Sequence, residues 1–284
     1  MTVPVDLAPF GARTPGPFVA SILALTRNLP ANWLGFRVST PFRRVAISWL
    51  GERPVDVVLW GARMRLYPRD NSCEKNALFT PQIFDVLERD VLAAAIDERA
   101  ALGRSFTFVD IGANVGLYSL FVASRGGAGT HVVAAEPQPG ILDRLSFNRD
   151  CNPGFNITLF PVAVTDRDGG VELVIRTGDR GGSYVNKNPS ATGRAGGVRV
   201  PGRTLMAILS EADVISIDAL KIDIEGAEDL ALGPFLRDAW RDLLPHLLLI
   251  EDRPDWGTDL FALLRQRGYV RSARSRHNII FQLA

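Results

Sequence analysis

The pattern of apolar and polar positions changes character near residue 105. Residues 1 to about 50 read as a helical and irregular lead-in, with Pro30, Pro41 and Pro54 as breaks. Within it, "FVASILAL" (18–25) predicts a packing helix. That run is too short to span a bilayer, and it lacks the basic flank and cleavage site of a leader. "VDVVLWGARMRLYP" (55–68) predicts two short strands turning at Gly61-Ala62, and "IFDVLERDVLAAAIDER" (83–99) carries helical periodicity.

From residue 105, apolar runs of strand length alternate with helical segments. "SFTFVDIG", "THVVAAEP" (130–137), "ITLFPVAVT" (157–165), "ISIDALKIDIEG" and "HLLLIEDRP" (246–254) predict buried strands. Helices are predicted from near Val115, over 139–152, over "TLMAILSE", from Ala227, and from Thr258 to Arg267. "DRDGG" turning into "VELVIR" predicts a hairpin after the third strand, and "YVRSARS" and "NIIFQLA" close the chain as strands. Residues 177–197 form a long Gly/Ser/Asn-rich segment, of the kind that is either functional or disordered. Buried strands separated by helices predict an α/β fold, a doubly wound parallel sheet covered on both faces. Such sheets bind ligands beyond the carboxyl ends of their strands.

Composition narrows the partners. The 284 residues are 46% apolar and carry a formal net charge of +1. No basic block marks a nucleic-acid binder or a polybasic membrane anchor, and Arg271, Arg274 and Arg276 read as a short solvated face. Cys73 and Cys151 offer neither a metal spacing nor a disulfide framework and read as reduced thiols in a cytoplasmic protein. With no H-E-x-x-H or C-x-x-C pattern, no protein-held catalytic zinc is expected.

The candidate chemistry starts in "VDIGANVG". Asp110 falls at a strand end, Gly112 and Gly116 bracket the turn, and Asn114 between them tolerates left-handed backbone. The helix that follows presents unpaired N–H groups suited to an anionic group. The spacing is D-x-G-x-x-x-G, and neither G-x-G-x-x-G nor G-x-x-x-x-G-K-[ST] occurs in the chain. An acid before the glycine turn repels a pyrophosphate and welcomes an ammonium, which favours S-adenosylmethionine over a dinucleotide. Glu136 closes the second strand, where a carboxylate accepts the hydroxyls of a ribose. That position suits any adenosine ligand and does not by itself separate the methyl donor from NAD.

"FVDIGANVGLYSLFVAS", the "EP" after the second strand, "PVAVTDRDG" and "IDALKIDIEGAEDLALGPFL" together resemble the FkbM family of S-adenosylmethionine-dependent methyltransferases, over most of residues 105–284. The resemblance implies a class I methyltransferase fold, Rossmann-like, with a mostly parallel seven-stranded sheet. It implies an N-terminal extension over 1–100 that packs on or covers the cofactor site, ahead of a methyltransferase domain over 101–284. It also implies S-adenosyl-L-methionine as cofactor, held at Asp110, Gly112, Asn114, Gly116 and Glu136, with the backbone of Ala163 and Val164 by the adenine and Asp166 nearby. Asp223 and Glu225 are implied near the reacting methyl. The implied reaction is methylation of an oxygen, on a sugar, a glycan or a secondary metabolite.

The residues of "KIDIEG" add their own argument. In a strand, Lys221, Asp223 and Glu225 share one side and Ile222 and Ile224 the other, and charges on a central strand are costly unless paired or placed at a site. The cluster either fixes the strand end, with Glu225 capping the next helix, or forms the catalytic group. Candidate bases for a hydroxyl acceptor are Asp223 first, then Glu225, Glu251 and Asp252, with His277 a packing or surface residue. Magnesium on Asp223, Glu251 and Asp252 suits carboxylate chemistry, although the spacing does not demand it. Tyr184 and Trp256 could stack on the acceptor, and Arg180 and Lys187 could meet an acidic one. The expected partner is a small-molecule or carbohydrate acceptor, with no nucleic acid and no transmembrane segment. An NAD-linked oxidoreductase and a non-catalytic binding protein on the same fold are the competing readings.

Overall fold

The structure is a computed structural model and describes residues 5–176, 178–186, 197–253 and 256–284. Helix α1 (Pro17–Arg27) starts on a proline, which lacks only an N–H that has no partner at that position, and buries Val19, Ile22, Leu23 and Thr26 along one face. Helix α2 (Trp33–Leu50) runs through Pro41, where the sequence predicts a break. Pro41 stands on the solvent side, and Ser39, Arg43, Ala46 and Leu50 pack the opposite face, so tertiary packing overrides the lost hydrogen bond.

Strands β1 (Val55–Leu59) and β2 (Ala62–Leu66) form the expected hairpin. Its turn is Trp60-Gly61, one residue earlier than expected, with φ of 50° and 86°, the left-handed pair that a two-residue hairpin loop requires. Helix α3 (Ser72–Phe79) has no counterpart in the periodicity; Asn71 creates it by accepting from the N–H of Cys73 and Glu74. Helix α4 (Val86–Ala101) follows as predicted.

Then come β3 (Phe106–Ile111), α5 (Leu117–Gly126), β4 (Thr130–Ala135), α6 (Pro139–Asp150) and β5 (Asn156–Phe160). The third predicted strand divides at Pro161, which has no N–H for a ladder. Beyond it, β6 (Ala163–Val164) enters a second sheet. The predicted hairpin also differs: β7 (Gly169–Val174) pairs with β8 (Tyr184–Val185) and β9 (Gly197–Arg203) rather than with the preceding strand. The chain continues through α7 (Leu205–Glu211), β10 (Ala219–Ile222), α8 (Glu228–Asp238), β11 (Leu247–Glu251), α9 (Leu260–Gln266), β12 (Tyr269–Arg274) and β13 (Asn278–Leu283).

The main sheet is seven-stranded, ordered β12-β13-β11-β10-β3-β4-β5, and only β13 runs against its neighbours. From β3 the chain winds outward to β5, then returns to β10 on the other flank, which puts the topological switch point between β3 and β10. One apolar layer joins Phe106, Phe108, Val132 and Ala134 to the N-terminal helices and hairpin. The other joins Val109, Ile111, Leu220 and Ile222 to the C-terminal helices. Both faces are covered, as the doubly wound reading requires.

Candidate active site

The switch point brings the two motif turns together. Asp110 and Lys221 sit opposite each other in the β3–β10 register, both buried. Ser119 of α5 donates to Asp110 Oδ2 at 2.6 Å, while Oδ1 is buried with no hydrogen-bond partner among the described residues. Burial pushes the Asp110 carboxyl above its ordinary value, against the pull of the Lys221 ammonium. Lys221 itself donates to Asp223 Oδ2 at 3.2 Å and lies 4.9 Å over the Tyr118 ring. Burial opposes its charge, but the carboxylates of Asp223 and Asp110 outweigh it and hold its pKa above the usual lysine value.

Strand β10 ends at Ile222, so Asp223 and Glu225 stand on the turn beyond it and do not continue the expected alternation. Asp223 N–H still donates to Ile111 O, at 3.0 Å. Glu225 and Gly226 then take φ of 59° and 99°. That strained turn is held by Glu228, whose Oε1 accepts from the N–H of Ile224 and Gly226 while its Oε2 accepts from Trp256 Nε1. Glu225 therefore caps no helix; it pairs with Arg253. Gly112 is dictated by the same turn. Its φ is 78°, and a Cβ there would stand 2.0 Å from the carbonyl oxygen of Asp223.

The first turn is equally fixed. Asn114, at φ 53°, donates its N–H to Glu136 Oε2, and its Oδ1 accepts from Asn71 Nδ2 at 2.7 Å. Glu136 Oε1 accepts from Gln138 N–H at 2.9 Å. Burial pushes the Glu136 carboxyl up to about 7, with these two N–H groups pulling back. Gly116 caps α5 at φ 89°.

A cavity opens beside these turns. Gly112, Glu136, Ala163, Val164, Asp223 and Glu225 line it, together with Arg180 and Gly181. Asp110, Asn114, Gly116 and Lys221 are not among the residues that line it. Asp166 is exposed, accepts from the Thr165 hydroxyl and does not line the cavity. Arg180 is anchored to Asp70: its backbone N–H donates to Asp70 O, and Nε lies 3.1 Å from Oδ2.

One oxygen each from Asp223, Glu225 and Glu251 lies within 4.8 Å of the others, a spacing that would suit a metal ion. Two side-chain cations already serve these acids. Arg253 pairs with Glu225 and, at 3.0 Å, with Glu251; Lys221 pairs with Asp223. Burial, then the neighbouring Asp223 charge, pushes Glu251 up to about 8; burial also raises Glu225. Asp252 turns away to Arg274. His277 is exposed. Trp256 packs against Phe261 and bonds Glu228, while the Tyr184 ring receives Arg176 at 5.4 Å. Lys187 lies outside the described residues.

Asn71, Asp70, Glu228 and Arg253 are the site residues that motif reading misses. Asn71 and Asp70 come from the N-terminal part of the chain, and only a polar residue ahead of a short helix marks them in sequence. Glu228 sits inside the quoted motif, where a clamp on the preceding turn is invisible without coordinates.

The strand order, with one reversed strand next to the edge, and the paired turns at the switch point define a Rossmann-like class I methyltransferase fold. The FkbM methyltransferase domain matches residues 110–271, more than half of the chain, and the chain belongs to that family. This sets aside the oxidoreductase reading. Among curated proteins, none matches the chain in sequence. Among solved structures, the chain is similar to the METTL16 methyltransferase domain, with 15% identity, 94% of this chain and 93% of that chain covered, and a TM-score of 0.49. It is also similar to a SAM-dependent methyltransferase from Agrobacterium tumefaciens (12% identity, 82% and 69% covered, TM-score 0.45). A third is precorrin-6y C5,15-methyltransferase from Geobacter metallireducens GS-15 (13% identity, 73% and 92% covered, TM-score 0.40). At these identities the likeness does not extend to substrates.

Proposed function

We propose that this chain uses S-adenosylmethionine to methylate a hydroxyl on a sugar, a glycan or a secondary metabolite. The observation that carries the reading is the pair of carboxylates Asp223 and Glu225 lining the same cavity as Gly112, Glu136, Ala163 and Val164, with an oxygen of Glu251 within 4.8 Å of both acids.

The residues fit the cofactor. Asp110 Oδ1 is a buried acceptor without a partner among the described residues, suited to an ammonium. Glu136 reaches the cavity with lone pairs beyond the two that its backbone partners use, suited to ribose hydroxyls. Ala163 and Val164, with Ile141 and Leu173, give an apolar wall suited to adenine. Gly112, Asn114 and Gly116 shape the turn that brings these groups together. When bound, S-adenosylmethionine supplies a methyl group on a positively charged sulfur, already activated for displacement.

The protein then has to align the acceptor and take its proton. Asp223 faces the cavity and takes it. Lys221 is the positioning partner that fixes the Asp223 carboxylate. Glu251, raised towards neutrality beside Asp223, shares the proton load of the cluster. Glu225, held by Arg253, shapes the acceptor side with Tyr184. The 1–100 extension reaches the cofactor turn through Asn71, and its Asp70 anchors Arg180 at the cavity.

Calorimetry with S-adenosylhomocysteine and with NADH, followed by a labelled methyl donor against a panel of hydroxyl acceptors, tests this. The expected result is binding of S-adenosylhomocysteine alone and label on an oxygen. Binding of NADH alone, or label found only on nitrogen or carbon, would overturn it.

A further inference from the structure

The outer face of α2 presents a feature that the methyl-transfer site does not use. Leu34, Val38, Phe42, Val45 and Trp49 are all exposed, Trp49 at 64% and Val45 at 53% of their surface. Their spacing of four, four, three and four residues places them on one stripe of the helix. Phe18 of α1 extends the stripe, its ring centroid 5.3 Å from that of Trp49. The buried positions Gly35, Ser39, Arg43, Ala46 and Leu50 lie on the other side, so the core does not need the stripe. A contiguous exposed apolar patch of this kind marks an interaction surface rather than a scattering of surface residues.

Charge says what covers it. From Leu7 to Gly51 the chain contains no Asp or Glu and five arginines, Arg13, Arg27, Arg37, Arg43 and Arg44. Arg37 and Arg44 are exposed along the edge of the stripe. On the flank of α2 away from the stripe, a groove of about 400 Å³ is lined by Arg43, Arg44, Arg69 and Lys75, with Arg69 paired to Glu52. Arg43 is 7% exposed, and its Nε has no hydrogen-bond partner among the described residues. An apolar helix face ending in a tryptophan and flanked by exposed arginines is the arrangement of a helix that lies in a membrane interface. A second copy of this chain fits less well. A two-fold contact would set the patch against itself and bring arginines together with no acid on α1 or α2 to meet them.

We propose that the α1–α2 face docks this protein on an anionic lipid surface. The apolar stripe enters the headgroup–acyl boundary, and the exposed Arg37 and Arg44 beside it meet lipid phosphates. No helix among the described residues is long and apolar enough to cross a membrane, so the contact is peripheral.

Co-sedimentation of the full chain with two vesicle types tests the proposal: phosphatidylcholine alone, and phosphatidylcholine with 30 mol% (~0.3 mole fraction) phosphatidylserine, a composition that supplies the surface potential in question. The expected result is partitioning to the anionic vesicles, weak binding to the neutral ones, and loss of binding in high salt. Val45→Glu with Trp49→Glu, and separately Arg37→Glu with Arg44→Glu, should each weaken partitioning by about tenfold or more, with unchanged circular dichroism and melting because all four side chains are exposed. Failure of the wild-type chain to bind either vesicle overturns the proposal. So does binding that ignores both pairs of substitutions. Sedimentation showing a dimer that Val45→Glu abolishes, without vesicle binding, would assign the face to a second copy instead.

Discussion

Two clusters of buried charge flank the cofactor turn, and they are built differently. In the cluster around Arg144, Nη1 reaches Asp70 at 2.9 Å and Glu74 at 2.6 Å, and Nη2 reaches the second Asp70 oxygen. The remaining Glu74 oxygen accepts from Tyr67 N–H, and the Tyr67 ring lies 4.1 Å from the guanidinium. Every carboxylate oxygen there has a partner within the protein, and the one buried polar atom left over is a donor, Arg144 Nε. In the cluster around Lys221, one ammonium serves Asp223 and stands beside Asp110, and Asp110 Oδ1 is left without a hydrogen bond among the described residues. Acids whose oxygens are all partnered hold a fold together, and an acid with an unpartnered oxygen leaves an acceptor for a ligand. The Arg144 cluster ties the N-terminal part of the chain to α6, and the Lys221 cluster lies at the switch point where the sheet binds.

The largest effect expected from testing that contrast is on turnover. Asp223→Asn should lower kcat by about 10²–10⁴-fold, the contribution of a positioned base, while calorimetry still shows binding of S-adenosylhomocysteine. Unchanged turnover would remove Asp223 from that role. Next, Arg144→Met should cost about 3–5 kcal/mol in chemical denaturation, because it strands Asp70 and Glu74 in the interior. A loss of turnover with no loss of stability would erase the distinction between the two clusters. Asn71→Ala should cost about 1 kcal/mol through the lost α3 cap. It should also weaken S-adenosylhomocysteine binding, because Asn114 loses its partner. Asn71→Asp keeps the cap but not the donor, and should recover the stability without the affinity.

The smallest effects are in pH. Glu136 and Glu251 have folded-state values of about 7 and about 8, above the ordinary 4.5. The folded chain therefore holds protons that the unfolded chain has released. Their contribution to stability is full below the ordinary carboxylate value and is lost as pH rises through 7 to 8. The melting temperature of the ligand-free protein should fall between about pH 5 and pH 8, and Glu251→Gln should flatten the upper part of that slope. The same residue predicts that kcat/KM climbs through about pH 8 and that this limb disappears in Glu251→Gln. A pH-independent kcat/KM would separate Glu251 from the proton path.

The central strands β3, β4 and β11 of the main sheet were legible because each is a short apolar run between helical periodicities, and burial on both faces leaves few other patterns. The four-stranded sheet was less legible. Its strands are Gly- and Pro-containing or only two residues long, and β6 pairs with β9, almost forty positions away along the chain. Glu225 shows the same limit at the site. Alternation along "KIDIEG" placed it on a strand face, but the strand stops at Ile222, and a left-handed turn clamped by Glu228 sends it to Arg253.

By itself the sequence determined the doubly wound class, the two motif turns and the acids at the strand ends, because periodicity and glycine spacing are local properties of the chain. Only the tertiary structure decided that Asn71 reaches Asn114 while Asp70 holds Arg180, that Gly112 is required by the Asp223 carbonyl, and which carboxylates share the cavity. Those facts depend on segments distant in sequence meeting at one point, and on which buried polar atoms are left with a partner.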